Sequence, residues 1–366
     1  MPHKIKEKYI MGKWETGCLV LNLLTYKLFS NLPAKFAEGA GTASWLAALY
    51  SGAAAFLIIL LITALYKKCG KRSLIELAKS AFGSAGKYAA TVFIMLYLLI
   101  SAVFTLREFT GMVKFISFPT APEWFVALFF AAAMLLSVNR GMDSIIRTHV
   151  VAIPASAFLT VVIMASAVGY GDAENLFPVF GNGAGNVFGK GLWGISMYSD
   201  IILLFLVNPF CSSADDLKKT AVGVSALGVA INVFFILTLA AVIPYPVSRG
   251  MQYPVYQLLK TVYYGRFFQR IDALYMLAVV LSGMLYLSFV LFLLTYIMKK
   301  SFGTSRTRVF GAPFVLIILL LAQSRARIPL NSLSEWLIYA DIAVLAAAVI
   351  ISAAAGRKGI NGYEKS

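Results

Sequence analysis

Apolar residues arrive in this chain in blocks of about twenty, the length a helix rising about 1.5 Å per residue needs to cross a hydrocarbon core. The blocks cover residues 14–32, 43–66, 88–110, 121–139, 145–170, 192–211, 220–243, 271–298, 309–324 and 334–355. The seventh, from Ala221 to Ile243, holds no charged residue. The fifth contains Pro154, which a membrane helix tolerates where neighbouring helices satisfy the freed carbonyl. A soluble alternative fails on charge. Of 366 residues, 60% are hydrophobic and 13% charged, whereas soluble domains carry roughly 25% charged residues. The expected fold is an all-α integral membrane protein of ten transmembrane helices, one polytopic domain over residues 1–366.

The net charge of +16 would suit nucleic acid, but its placement does not. Lysines and arginines sit in short segments between apolar blocks, without the aromatic-interleaved basic stripe of a nucleic-acid binder. With the N-terminus in the cytoplasm, inner segments such as Lys67-Lys68, Lys218-Lys219 and Lys299-Lys300 hold about twice the lysine and arginine of outer ones such as Lys35 and Lys114. Both termini are therefore expected in the cytoplasm. Between blocks seven and eight, 245–269 reads as a hairpin or short amphipathic helix near the outer face. Cys18, Cys69 and Cys211 are far apart and form neither a CxxC pair nor a disulfide framework. With two histidines, His3 and His149, and no HExxH, GxSxG, P-loop or GxGxxG motif, the chain shows no metal centre, cofactor site or catalytic constellation.

Two blocks are poor membrane helices. The first carries Asn22, Thr25, Lys27, Ser30 and Asn31 before Pro33; the sixth starts through Gly189, Gly191 and Gly194 and runs Ser196-Met197-Tyr198-Ser199-Asp200. They lie five blocks apart and open the two halves, residues 1–170 and 192–355. A five-plus-five inverted-repeat transporter places its broken helices there, leaving backbone groups that a bound solute can satisfy at mid-membrane. Charge inside the membrane costs about 2.5–3.5 kcal/mol even on the lenient insertion scale, so Lys27 and Asp200 each need a reason. Either they pair, or receive a ligand's carboxylate and ammonium, or Lys27 snorkels to the interface and Asp200 sits in a wet vestibule. The candidate ligand-binding residues are Asn22, Thr25, Lys27, Ser30, Ser196, Tyr198, Ser199 and Asp200. Arg107 and Glu108, at the outer end of the third block, are candidates for a gate or a structural anchor. His149, at the cytoplasmic end of the fifth, is a proton relay or a structural residue. The aromatics are expected mostly at lipid or the interface.

Several segments in order resemble the endospore germination permease family, which supplies the B subunit of nutrient germinant receptors within the amino acid–polyamine–organocation superfamily. They are Tyr66-Lys67-Lys68-Cys69-Gly70-Lys71-Arg72-Ser73-Leu74-Ile75-Glu76, Leu106-Arg107-Glu108-Phe109, Asn175-Leu176-Phe177-Pro178-Val179, Asn208-Pro209-Phe210, Tyr253-Pro254 and Arg270-Ile271-Asp272-Ala273-Leu274. Ser199-Asp200 also looks like the family's small-residue–acidic pair in span six. Span one departs from it, carrying Asn22-Leu23-Leu24-Thr25-Tyr26-Lys27 where the family has a Gly-Ser break. The resemblance implies a LeuT-type fold with a ligand pocket at the breaks of spans one and six. It also implies a small amino acid-like nutrient as ligand, an A subunit and a lipoprotein C subunit as partners, and a place in the spore inner membrane. An amino-acid or amine permease working by alternating access is the other reading.

Overall fold

The computed structural model describes residues 9–69, 72–248, 251–261, 271–303, 307–324 and 330–363. His3, Gly70, Lys71 and Arg270, named above, lie outside them. The described residues are almost entirely helical, with a single isolated bridge between Met11 and Cys211. Seven helical segments are long and apolar enough to cross a membrane, and Phe310–Gln323 is a shorter apolar helix.

Each predicted block has a helix. Span two is Ser44–Cys69, span four Glu123–Arg140, span five Met142–Ala167 and span seven Ala214–Val242. Span eight is Ile271–Phe302, span nine Thr307–Gln323 and span ten Leu330–Tyr363. Span three belongs to Leu74–Ser117, which is interrupted at Gly83 by a left-handed backbone (φ 74°) that glycine adopts without a Cβ penalty. The helix before that break starts at a capping box. Ser73 Oγ accepts the Glu76 amide, and Glu76 Oε2 accepts the Ser73 amide at 2.7 Å. Lys300, at the end of span eight, reaches Glu76 at 2.9 Å and donates to Ser73 Oγ, tying two helix ends together.

Spans one and six are discontinuous. Span one is α-helical over Lys13–Thr25, tightens to a 3-10 turn over Tyr26–Phe29, and gives way to a separate helix, Leu32–Ala40. Span six is a 3-10 stretch, Gly191–Ile201, followed by one α-turn, Ile202–Leu206. The long 3-10 run brings backbones close together. A Cβ at Gly194 would strike the Phe36 ring and Ser51 Oγ, so the start of span six packs where only glycine fits.

The helix pairings repeat under a shift of five spans. Span one packs on five and seven, as span six packs on ten and two; span three packs on ten, as span eight packs on five. Spans one and six contribute a packed interior, while side chains such as Leu57, Val151, Phe158 and Leu320 point outward. That inside-out distribution suits lipid as the surrounding solvent. The predicted outer segment contains two short helices, Tyr245–Ser248 and Pro254–Thr261. The second is amphipathic, with Val255, Tyr256, Leu258 and Leu259 buried and Lys260 exposed.

Candidate functional site

A broken helix frees backbone carbonyls and amides, and each must find a partner away from water. At the break of span one, Asn232 of span seven donates from Nδ2 to Leu24 O at 3.0 Å. Ser30 Oγ donates to Lys27 O at 2.6 Å, and Glu108 Oε2 accepts the Asn31 amide at 2.9 Å. Thr25 Oγ1 turns back onto Leu21 O at 2.8 Å. At the break of span six the acceptor is Ser196 O, which receives Lys27 Nζ at 2.7 Å and Ser199 Oγ at 2.9 Å. The two broken helices therefore repair each other through Lys27.

Lys27 is 2% exposed and its ammonium points inward. It lies 2.7 Å from Asp200 Oδ2, 3.1 Å from Asp341 Oδ2 and 3.1 Å from Ser199 Oγ. This settles the orientation of Lys27 in favour of pairing over snorkelling. Three tyrosine hydroxyls complete the cluster. Tyr26 donates to Asp200 Oδ2 at 2.8 Å, while Tyr97 and Tyr286 reach Asp200 Oδ1 at 2.7 and 2.9 Å. Tyr97 also lies 2.9 Å from Asp341 Oδ1. Tyr26 and Tyr286 stack with ring centroids 3.7 Å apart, and Ser101 pairs with the Tyr286 hydroxyl at 2.5 Å. Spans one, three, six, eight and ten all contribute to this one buried network.

Not every candidate residue joins it. Asn22 belongs to a second polar group, with Nδ2 at 3.3 Å from His149 Nε2 and Oδ1 accepting from Ser282 Oγ at 2.7 Å. His149 Nδ1 lies 2.8 Å from Ile145 O, which fixes the ring. It is fully buried two turns into span five rather than at the end of that helix. Thr25 lines a cavity of about 10 Å³ beside that group, with Ser156, Thr160 and Ser282. Tyr198 is buried with its hydroxyl against Gly52 of span two, outside the ion cluster. Arg107 and Glu108 are buried within a helix that continues to Ser117, not at its outer end; Glu108 caps the break of span one.

Four participants were absent from the sequence candidates: Tyr26, Tyr97, Tyr286 and Asp341. Asp341 carried a usable signal, as an acid inside an apolar block that faces the same insertion cost as Asp200. The tyrosines carried none, because an aromatic in a membrane helix is ordinarily read as facing lipid or the interface. Burial of Tyr26, Tyr97 and Tyr286 departs from that expectation for these three.

Beside the cluster opens a cavity of about 300 Å³ lined by Leu32, Lys35, Phe36, Glu38, Trp193, Gly194, Glu335 and Ile338 among others. Its wall at Gly194 lies two residues before Ser196, and its wall at Ile338 one helical turn before Asp341. It carries charges of both signs on an aromatic-lined wall. Among the described residues no group of His, Cys, Asp or Glu could hold a metal ion.

Comparison with known proteins accounts for this architecture. A profile described as "Spore germination protein" matches residues 29–327. Spore germination protein KB of Bacillus subtilis (strain 168) is 22% identical over 312 residues, 83% of each chain. Spore germination protein XB of Bacillus anthracis is 20% identical over 288 residues, 77% of this chain and 79% of that one. Among solved structures, MhsT in complex with L-phenylalanine superposes with a TM-score of 0.67 at 14% identity, covering 95% of this chain and 89% of that one. At that identity the likeness shows the fold, which is that of a LeuT-type transporter. With the profile covering most of the chain, this protein belongs to the spore germination permease family.

Proposed function

We propose that the chain is the transporter-like B subunit of a spore nutrient germinant receptor. It binds a small nutrient such as an amino acid inside the membrane and signals to an A subunit and a lipoprotein C subunit to start germination. The observation that carries this reading is the Lys27–Asp200–Asp341 cluster, which joins two discontinuous helices at the position where LeuT-type folds keep their solute. A ligand arriving there competes for groups that now hold spans one, six and ten together, so binding favours a different arrangement of those helices. The cavity holding Lys35, Glu38 and Glu335 is the approach, and its two signs of charge suit a zwitterion. The complex of MhsT with L-phenylalanine supports an amino acid as the ligand class.

In this reading the membrane domain has ten spans: the seven long helices, the shorter apolar one, and the two broken ones. Residues 1–170 and 192–355 form its two five-helix halves, both termini are cytoplasmic, and the membrane is the spore inner membrane. The five-span shift in helix pairing supports the division into halves.

The test is a nutrient dose–response curve for germination of spores carrying Asp200→Asn, with protein abundance followed by immunoblot. The substitution removes a charge and keeps the shape, so the response should weaken at least tenfold at normal abundance. An unshifted curve would take Asp200 out of the site. Deleting the A and C partners should lower abundance of this chain in the spore. Normal abundance together with solute uptake in their absence would instead establish an autonomous permease.

A further inference from the structure

The buried cluster does not balance as drawn. One ammonium, Lys27, faces two carboxyl groups, Asp200 and Asp341, and all three are at most 2% exposed. Among the described residues Lys27 is the cation within ion-pair distance of either acid. Two ionised carboxylates would leave one uncompensated negative charge away from water, a state that buried groups escape by taking a proton.

Hydrogen-bond counting says where the proton goes. Asp200 faces four donors: Tyr97 and Tyr286 on Oδ1, Tyr26 and Lys27 on Oδ2. That is the full acceptor complement of an ionised carboxylate. Asp341 has one assured donor, Lys27, on Oδ2. Its Oδ1 lies 2.9 Å from the Tyr97 oxygen, yet Tyr97 has a single proton and its closer partner is Asp200 Oδ1, at 2.7 Å. Ser199, 3.5 Å from Tyr97, directs its own proton at Ser196 O. The short Asp341–Tyr97 contact is a hydrogen bond only if Asp341 supplies the hydrogen.

We infer that Asp341 is a proton-binding site: a carboxylic acid that donates to Tyr97, which in turn donates to ionised Asp200. The groups facing Asp341 are Lys27 from span one, Tyr97 from span three, and Ser199 and Asp200 from span six. The charges that act most strongly on Asp341 are those of Lys27 and Asp200. With the proton in place the cluster is neutral, and span ten is held to span three through Tyr97. When the proton leaves, that bond is lost and a net negative charge remains between spans one, six and ten. A cationic amine that enters and pairs with Asp341 restores neutrality without the proton, so one proton departs for each ammonium bound. The site thus couples proton release to entry of an amine, whatever nutrient the receptor takes.

Infrared difference spectroscopy on the purified full-length protein in nanodiscs tests this with no nutrient present, so it can fail while the nutrient reading stands, and the reverse. The carbonyl stretch of a buried protonated carboxyl should be present near neutral pH, shift in heavy water, and fade as pH is raised. Labelling aspartate carboxyls with heavy carbon separates it from any band of the buried Glu108. The band should be lost in Asp341→Asn. It should move in Tyr97→Phe, which removes the acceptor of the acid proton, and stay in place in Tyr286→Phe, whose hydroxyl touches Asp200 alone of the two acids. Absence of the band in the wild type, or its survival in Asp341→Asn, overturns the assignment. Tyr97 touches both acids and Tyr286 only Asp200, so a band that moves in Tyr286→Phe, whatever it does in Tyr97→Phe, puts the proton on Asp200 and overturns the assignment equally.

Discussion

Replacing Lys27 with methionine keeps an unbranched side chain of similar length and removes the ammonium from the centre of the cluster. Its three N–H donors now face four oxygens, Asp200 Oδ2, Asp341 Oδ2, Ser196 O and Ser199 Oγ. Without them two buried acids face one another across tyrosines that were already committed. Removing one partner of a buried ion pair costs about 3–5 kcal/mol, because the other charge is left uncompensated. That is roughly two to three and a half powers of ten in the folding equilibrium. Asp200→Asn is destabilising by a different route. Its carbonyl oxygen can keep Tyr97 and Tyr286, but its amide then turns two hydrogens toward Tyr26 and Lys27, which are themselves donors. In the double variant the amide no longer meets the ammonium, so the combined loss should fall short of the sum by about 1–3 kcal/mol. The assay is unfolding by an ionic detergent in mixed micelles, monitored by tryptophan fluorescence and far-UV dichroism, for wild type, both single variants and the double. Additive effects, each below about 1 kcal/mol, would match an exposed ion pair. They would refute the inward orientation of Lys27 and the repair of span six through it.

Asn232→Leu should cost about 1–3 kcal/mol in the same assay, since Leu24 O at the break of span one then loses the side chain that satisfies it. A variant as stable as the wild type would mean that the carbonyl finds another partner, and the break would not depend on span seven. Reporter fusions after Arg140, Lys219, Lys300 and the C-terminus should report cytoplasm, and a fusion near Glu174 the outer side. A C-terminus on the outside would defeat the ten-span reading.

The sequence determined the solvent and the partition of the chain. Blocks such as Ala221–Ile243 hold no charged residue and read as membrane helices, because backbone hydrogen bonds are satisfied locally in a helix and need no knowledge of neighbours. The glycines at 189, 191 and 194 and the polar run in span one marked the two helices that would break, since helix quality is also a local property. The charges of Lys27 and Asp200 announced that they needed partners, because the cost of burying a charge is set by the membrane and not by the fold.

What only the tertiary structure decided was which groups meet. Lys27 and Asp341 lie 314 positions apart in sequence, and no periodicity relates them. Tyr97 and Tyr286 have the composition of lipid-facing aromatics until spans three and eight turn them inward against Asp200. Conversely Asn22, which shares span one with Lys27, is carried round to His149 and Ser282. Five positions of an α-helix rotate a side chain about one and two-fifths turns, enough to put neighbours in sequence on different faces. Hydropathy along a chain records the cost of placing each residue in lipid, whereas a site depends on the directions of side chains from several helices. Those directions are fixed by packing, and packing is a property of the whole bundle.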